Sequence, residues 1–247
     1  MWIKRIFITC IAFVAVGCAQ MPNTREAFNS KPNAPVHLFV DDVQFKYEVP
    51  TNLTYIANPI PIFTIISAMT EIAHDNMSKE VHAKLNQARN SQGIQGNFNS
   101  MLVKSIVKKL EISGRTVVVH PTPFVDRVIG GSATRAGFVP KPNVAAPLDS
   151  IAIAVRSEFG SCSYKVITPC SRVSVFSLAP IESAPPDQPV APWLVRTYPT
   201  DTAAATRYPS LDEAVKKITD FDRNLQSLID VAATDIVATL SNPAGTK

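Results

Sequence analysis

Apolar and polar residues alternate in residues 36–49 in the way that a β-strand requires. The apolar residues fall on even positions up to Val40 and on odd positions from Val43 onward. An extra residue at Asp41-Asp42 returns both sets to one buried face if the strand forms a bulge or a bend there. The pattern therefore predicts one strand with a single buried face.

Helical spacing follows this strand. From Ile62 to Ala88 the apolar residues recur every three or four positions, which predicts a helix with a candidate break near Asn76-Met77. A second helix is predicted from about Asn97. Gly114 ends it, and the β-branched run that comes next predicts a strand.

Two further strands and two loops complete the middle of the chain. Residues 150–159 and 171–178 alternate around a short connection, which is the clearest antiparallel signal in the sequence. Residues 127–149 carry several glycines and prolines and are predicted to form a loop. Residues 179–209 hold seven prolines, so that neither a central strand nor a helix is expected, and a long extended loop is predicted.

The C-terminal segment has the strongest helical signature. Residues 210–213, with the sequence SLDE, form a capping box, in which the Ser hydroxyl and the Glu carboxylate satisfy exposed amides. One apolar stripe follows as far as Leu240, which at 1.5 Å per residue predicts roughly 45 Å of helix. The order of elements predicts an α+β domain: a mixed or antiparallel sheet with helices packed on one face and a long C-terminal amphipathic helix.

The composition fits a folded domain and argues against nucleic-acid binding. An apolar share of 46% is enough for a sizeable core. The formal charge of +4 falls to +2 if residues 1–17 are removed, because Lys4 and Arg5 leave with them. No basic stripe remains to hold a nucleic acid, and no motif indicates a cofactor.

The N-terminus resembles that of a bacterial lipoprotein. A basic start is followed by the uncharged run IFITCIAFVAVG, which is too short to cross a membrane and is typical of a signal peptide. The junction Ala15-Val16-Gly17-Cys18 resembles the lipobox, although Ala15 stands where Leu is usual. The resemblance implies a signal peptide over residues 1–17 and acyl chains such as palmitate on Cys18.

The same resemblance implies a domain organisation and a location. Residues 18–35 are polar and proline-containing and are predicted to form a tether, and residues 36–247 a single periplasmic domain. Ala19, in place of Asp, favours the periplasmic face of the outer membrane. The alternatives are an ordinary cleaved signal peptide with a coincidental Cys18 and an uncleaved membrane anchor.

The two remaining cysteines are predicted to pair. Cys162 and Cys170 flank seven residues, and in an oxidising periplasm a disulfide is the simplest use of such a pair. Two free thiols or a metal-binding pair are the alternatives, and the second is weakened by the absence of a nearby histidine in the sequence.

No group of residues points to catalysis or to a metal. His74 and His82 are eight positions apart on the first long helix, too far for one ion, so a solvated polar face is expected. His37 and His120 border strands and are expected at edge positions. Gly130-Gly131 lacks the spacing of a phosphate-binding loop, which leaves an ordinary turn or a weak anion site. The sequence predicts a protein that is not an enzyme and has no metal site.

The pattern from residue 100 to 247 loosely resembles a group of outer-membrane lipoproteins. The shared features are a helix-Gly-strand unit at 97–119, a strand pair opening at Asp149, and a terminal amphipathic helix. The group includes the curli-secretion lipoproteins and the lipoprotein activators of penicillin-binding proteins. The resemblance transfers no functional residue.

These observations predict a non-enzymatic scaffold or assembly component of a cell-envelope complex. Its Pro-rich loop offers Trp193, Tyr198 and Tyr208 as partner contacts. The alternative is an auxiliary lipoprotein of an envelope transporter that binds a lipid or a small apolar ligand, with residues 60–69 lining a groove. A hydrolase ranks third, and the sequence leaves the oligomeric state open.

Overall fold

The computed structural model describes most of the predicted domain. The described residues are 24–41, 45–48, 61–122, 124–128, 136–140, 147, 149–177, 194–201 and 203–241. The predictions for the signal peptide, Cys18, the loop at Gly130-Gly131 and Trp193 lie outside them, as do the side chains of residues 61–75.

Five helices and seven strands are formed by the described residues. The helices are α1 (Thr24–Ser30), α2 (Pro61–Ser91), α3 (Phe98–Ile112), α4 (Leu211–Lys216) and α5 (Ile218–Ser241). The strands are β1 (Val36–Asp41), β2 (Val117–Thr122), β3 (Phe124–Val128), β4 (Ala136–Pro140), β5 (Ile151–Ser161), β6 (Pro169–Ser177) and β7 (Leu194–Tyr198).

Five of the strands form a mixed sheet with the order β2-β1-β5-β6-β7. Strands β2, β1 and β5 are parallel, and helices α2 and α3 form the crossover from β1 to β2. Strands β5, β6 and β7 are antiparallel and form a meander. The predicted α+β class with a mixed sheet is confirmed.

The change of parity near Asp41-Asp42 brings both sets of apolar residues to one buried face, as the pattern predicts. Val36 and Leu38 are fully buried in the main core, and Phe45 and Tyr47 pack in that same core despite their opposite parity. Beyond β1, the Glu48 amide donates to the carbonyl of Phe159 at 2.9 Å, so this segment still runs beside β5.

Both central helices have the predicted boundaries. Helix α2 is continuous, with no break near Asn76-Met77. Asn97 caps α3 by accepting a hydrogen bond from the Ser100 amide at 3.1 Å. Gly114 follows α3 at φ +82°, a left-handed conformation that favours glycine and ends the helix.

The C-terminal stripe is divided between two helices. Ser210 caps α4 through the Glu213 amide, as predicted, but the Glu213 carboxylate accepts from Lys217 at 2.8 Å. The chain leaves helical geometry at Lys217 and resumes in α5. Helix α5 lines the core along its whole length, from Ile218 to Leu240.

The folded domain begins earlier than the sequence analysis predicts. The sequence predicts that residues 24–30 belong to a tether, yet they form helix α1. Phe28 of this helix is only 3% exposed. Arg115 stacks over the Phe28 ring at 4.1 Å and donates to the carbonyls of Phe28 and Lys31. This arginine satisfies carbonyls at the end of α1 and holds the helix on the domain.

Two segments predicted as loops contain strands. Strands β3 and β4, inside or overlapping residues 127–149, pair antiparallel as a separate two-stranded sheet. Strand β7 lies in the Pro-rich region 179–209 and pairs with β6 at the edge of the main sheet. Pro192 precedes β7 in the sequence and Pro199 follows it, so neither lies within the strand. The high proline content of the region predicts a loop and therefore conceals the strand.

Candidate functional site

A groove of about 500 Å³ lies beside helix α3 on the described surface. Its floor consists of side chains from the three parallel strands, and its wall is the side of α3 that faces away from α5. The floor and the apolar part of the wall comprise Val40, Val103, Val107, Val119, Pro121 and Val155. The groove exists because α3 covers edge strand β2 only in part, which leaves Val119 39% exposed.

The rim of the groove is polar and carries both signs of charge. Lys104 and Lys108 lie one helical turn apart on α3, with Glu111 beyond them. At the other end, the Ser157 hydroxyl donates to Oδ1 of Asn99 at 2.9 Å. The geometry suits an extended apolar segment with polar or acidic groups at its margin.

Asp41 stands at the carboxyl end of β1, where it borders both the groove and a charged cluster. Its Oδ2 lies 3.6 Å from Nη1 of Arg156, and Arg156 also approaches Glu48 and Glu158. Because Asp41 is only 9% exposed, this ion pair holds the end of β1 against β5. The charged cluster thereby fixes the position of Asp41 at the border of the groove.

The sequence predicts a solvated polar face on helix α2. This prediction is wrong at His82, which is buried. Its Nδ1–H donates to the Ser78 carbonyl at 2.6 Å, and its Nε2 accepts from the Ser161 amide at 3.0 Å. Gly160 permits this approach, since a Cβ there would collide with His82 and with the Glu48 carbonyl. Burial lowers the pKa of His82, so the neutral ring joins α2 to β5.

His37 and His120 meet instead of lying at separate edges. His37 is on internal strand β1 and is buried, while His120 is on edge strand β2. Nδ1 of His37 and Nε2 of His120 are 2.8 Å apart, a hydrogen-bond distance. The expectation of an edge position is wrong for His37, because β2 covers that side of β1.

A buried ionic contact connects helices α2 and α5 with the segment after β1. Asp222 accepts hydrogen bonds from the Tyr47 hydroxyl at 2.6 Å and from Nε of Arg89 at 2.9 Å. Arg89 also donates to the Gly96 carbonyl and lies over the Phe45 ring at 4.8 Å. Burial and Asp222 raise the pKa of Tyr47 well above its usual range.

The tyrosines predicted as partner contacts belong to the domain's own core. Tyr198 is 1% exposed and donates to Oδ2 of Asp235 at 2.5 Å; Tyr208 is 4% exposed and pairs with Ile167 through backbone hydrogen bonds. Neither ring is available to a partner in this fold, so the prediction is wrong for both.

The disulfide is confirmed. Cys162 and Cys170 are joined, with Sγ atoms 2.02 Å apart, at the turn between β5 and β6. Ser161 supports the same turn, since its hydroxyl oxygen accepts from the amides of Ser163 and Thr168.

The described part of the chain contains neither a metal-binding cluster of three side chains nor a membrane-spanning helix. No three His, Cys, Asp or Glu side chains there converge on a point that could hold an ion. No helix within the described ranges combines the length and the apolar character needed to cross a bilayer.

Comparison with protein-family models and with curated proteins gave no match. The groove was missed by the sequence analysis because its residues come from four separate elements. The one local signal was the run Val117-Val118-Val119, in which consecutive valines leave an apolar side chain on both faces of an edge strand.

Proposed function

We propose that the protein is a lipid-anchored lipoprotein on the periplasmic face of the outer membrane and acts as a non-enzymatic scaffold in a cell-envelope complex. The lipobox-like junction at Cys18 supports the anchor, and the groove beside α3 supports the binding of a partner. The fold would then present this groove to the periplasm at a short distance from the membrane.

The groove is the observation that carries the proposal. Exposed apolar side chains that line a concavity with a polar rim are characteristic of interaction sites. Lys104 and Lys108 project from the rim, so the expected occupant is a partner segment with apolar side chains toward Val119 and carboxylates toward the lysines.

The structural roles of two buried ionisable groups, His82 and Asp222, also favour a scaffold over an enzyme. His82 is fixed between α2 and β5, and Asp222 is bound by Arg89 and Tyr47. These groups stabilise contacts between elements, and neither lines the groove.

The test is a charge placed on the floor of the groove. Val119→Glu would put a carboxylate against the apolar floor, and we expect it to abolish co-purification of the partner while the protein stays folded. Val231→Glu is the matched control, because Val231 is a 54% exposed valine on α5 away from the groove. Equal recovery of the partner with both variants would contradict the proposal.

The second candidate is an auxiliary lipoprotein of an envelope transporter that binds a lipid or a small apolar ligand. The volume of the groove, about 500 Å³, favours it, because ligand sites commonly measure about 300–1,000 Å³. Mass spectrometry of organic extracts from protein purified without detergent distinguishes the two. A stoichiometric lipid that is lost in Val119→Glu supports the second candidate, and a lipid-free extract supports the scaffold.

A further inference from the structure

The facing imidazoles of His37 and His120 have a geometry suited to more than a hydrogen bond. The two ring planes are nearly parallel, 17° apart, and Nδ1 of His37 lies 2.8 Å from Nε2 of His120. Only one proton fits between these nitrogens, so one of them donates and the other presents a lone pair. The pair is therefore stable with both rings neutral.

The surroundings of the pair are apolar on one side. His37 is buried, and its Nδ1 shares the hydrogen bond with His120. Phe39 stacks on the His120 ring with centroids 4.8 Å apart. Neutral imidazole is the form in which histidine binds a metal.

The distance between the nitrogens is close to that in a metal site. Two Zn–N bonds of 2.0–2.1 Å at a tetrahedral angle place the nitrogens about 3.3 Å apart, so an ion fits when the nitrogens separate by roughly 0.5 Å and each ring turns by about 35°. Strand β2 is at the edge of the sheet, and Val118, the register partner of His37, is 38% exposed. An ion and its waters therefore have a path to the pair.

We propose that His37 and His120 together bind one divalent transition-metal ion of the class that prefers imidazole, such as Zn²⁺ or Cu²⁺. The ion replaces the shared hydrogen bond: the proton between the rings moves to the other nitrogen of the donor ring, so that two neutral imidazoles each offer a lone pair to the ion. Water completes the coordination, which makes the site exchangeable and distinct from a closed structural zinc site. This inference does not depend on the proposed scaffold function.

The experiment is a titration of the full chain with Zn²⁺, followed by calorimetry and by ¹⁵N signals of the imidazole rings. We expect one equivalent to bind and to shift the signals of His37 and His120 but not those of His82. His120→Ala, at the accessible edge, should weaken binding at least about tenfold, since even outer-sphere changes cost this much. His74→Ala, which removes a histidine on α2, is the matched control and should bind normally.

Several outcomes would overturn the inference. They are an absence of heat and of signal changes, binding that survives His120→Ala, and binding that is lost in His74→Ala. The imidazole signals of the unmodified chain decide the question even if a variant fails to fold, because they identify the ligating rings directly. In that case unchanged His37 and His120 signals would leave the contact as a structural hydrogen bond only.

Discussion

At the scale of single residues, the interior is organised by a few buried polar contacts. Arg89 reaches Asp222, the Gly96 carbonyl and the Phe45 ring at once, so one side chain links α2 to α5 and to the start of α3. Removing one partner of such a contact lowers the free energy of unfolding, because the remaining charge stays buried without its counter-ion.

Arg89→Met should therefore destabilise the protein by about 3–5 kcal/mol, the usual cost of removing one partner from a buried ion pair. The Asp222 carboxylate would then keep the hydrogen bond from the Tyr47 hydroxyl but lose its cationic partner. Urea unfolding followed by circular dichroism measures the change. Arg223→Met removes an exposed arginine paired with Asp220 and should cost no more than about 1 kcal/mol. Similar costs for both variants would contradict the role given to Arg89.

His82 should make the stability depend on pH. Its pKa is lowered in the folded protein, so below the ordinary value of about 6.5 the unfolded chain binds a proton that the folded chain does not. The free energy of unfolding should then decrease as the pH falls below about 6.5. Above that pH both states are neutral at this ring, and it contributes no slope.

His82→Gln removes this titration, and its unfolding free energy should fall less steeply between pH 7 and pH 5. Some slope should remain, because the pKa of His37 is also lowered. Denaturant unfolding at a series of pH values gives both slopes. Parallel curves for the variant and the wild type would show that His82 is not held in its neutral form.

At the scale of elements, the disulfide closes the turn between β5 and β6. Replacing Cys162 and Cys170 by alanine together should lower the unfolding free energy by about 2–3 kcal/mol, from the loop entropy of the unfolded chain. Urea midpoints of the oxidised wild type and the double variant measure it. A reducing agent should lower only the wild-type midpoint, and equal midpoints before reduction would contradict the prediction.

Elements with a long local pattern were predictable from the sequence. Helices α2, α3 and α5 and the pair β5–β6 each carry enough periodic residues to be identified without their neighbours. Short elements whose stability comes from tertiary contacts were not. Helix α1 depends on Arg115, which follows it by more than 80 residues, and β7 depends on pairing with β6.

The candidate sites were less predictable than the fold for a related reason. The contact between His37 and His120 depends on the register of two parallel strands joined by two helices. Predicting the groove likewise requires knowing which strand α3 covers only in part. The predicted contacts Tyr198 and Tyr208 failed because an aromatic residue in a proline-rich segment has the same sequence signature whether it is exposed or buried.

At the scale of the whole molecule, the proposed function combines a lipid anchor at Cys18 with a domain that has an open groove at one edge of its sheet. Helix α1 begins at Thr24 and packs on the domain through Phe28, so in the proposed arrangement few residues separate Cys18 from the folded domain. A scaffold of this kind would hold its partner close to the membrane surface.

The most direct test of the scaffold is crosslinking in the native host, followed by affinity purification and mass spectrometry. It should be performed on the wild type, Cys18→Ala and Val119→Glu. The account predicts one envelope complex with the wild type, its loss with Cys18→Ala because the anchor is missing, and its loss with Val119→Glu because the groove is blocked. Recovery of the same complex from both variants, or of none from the wild type, would contradict it.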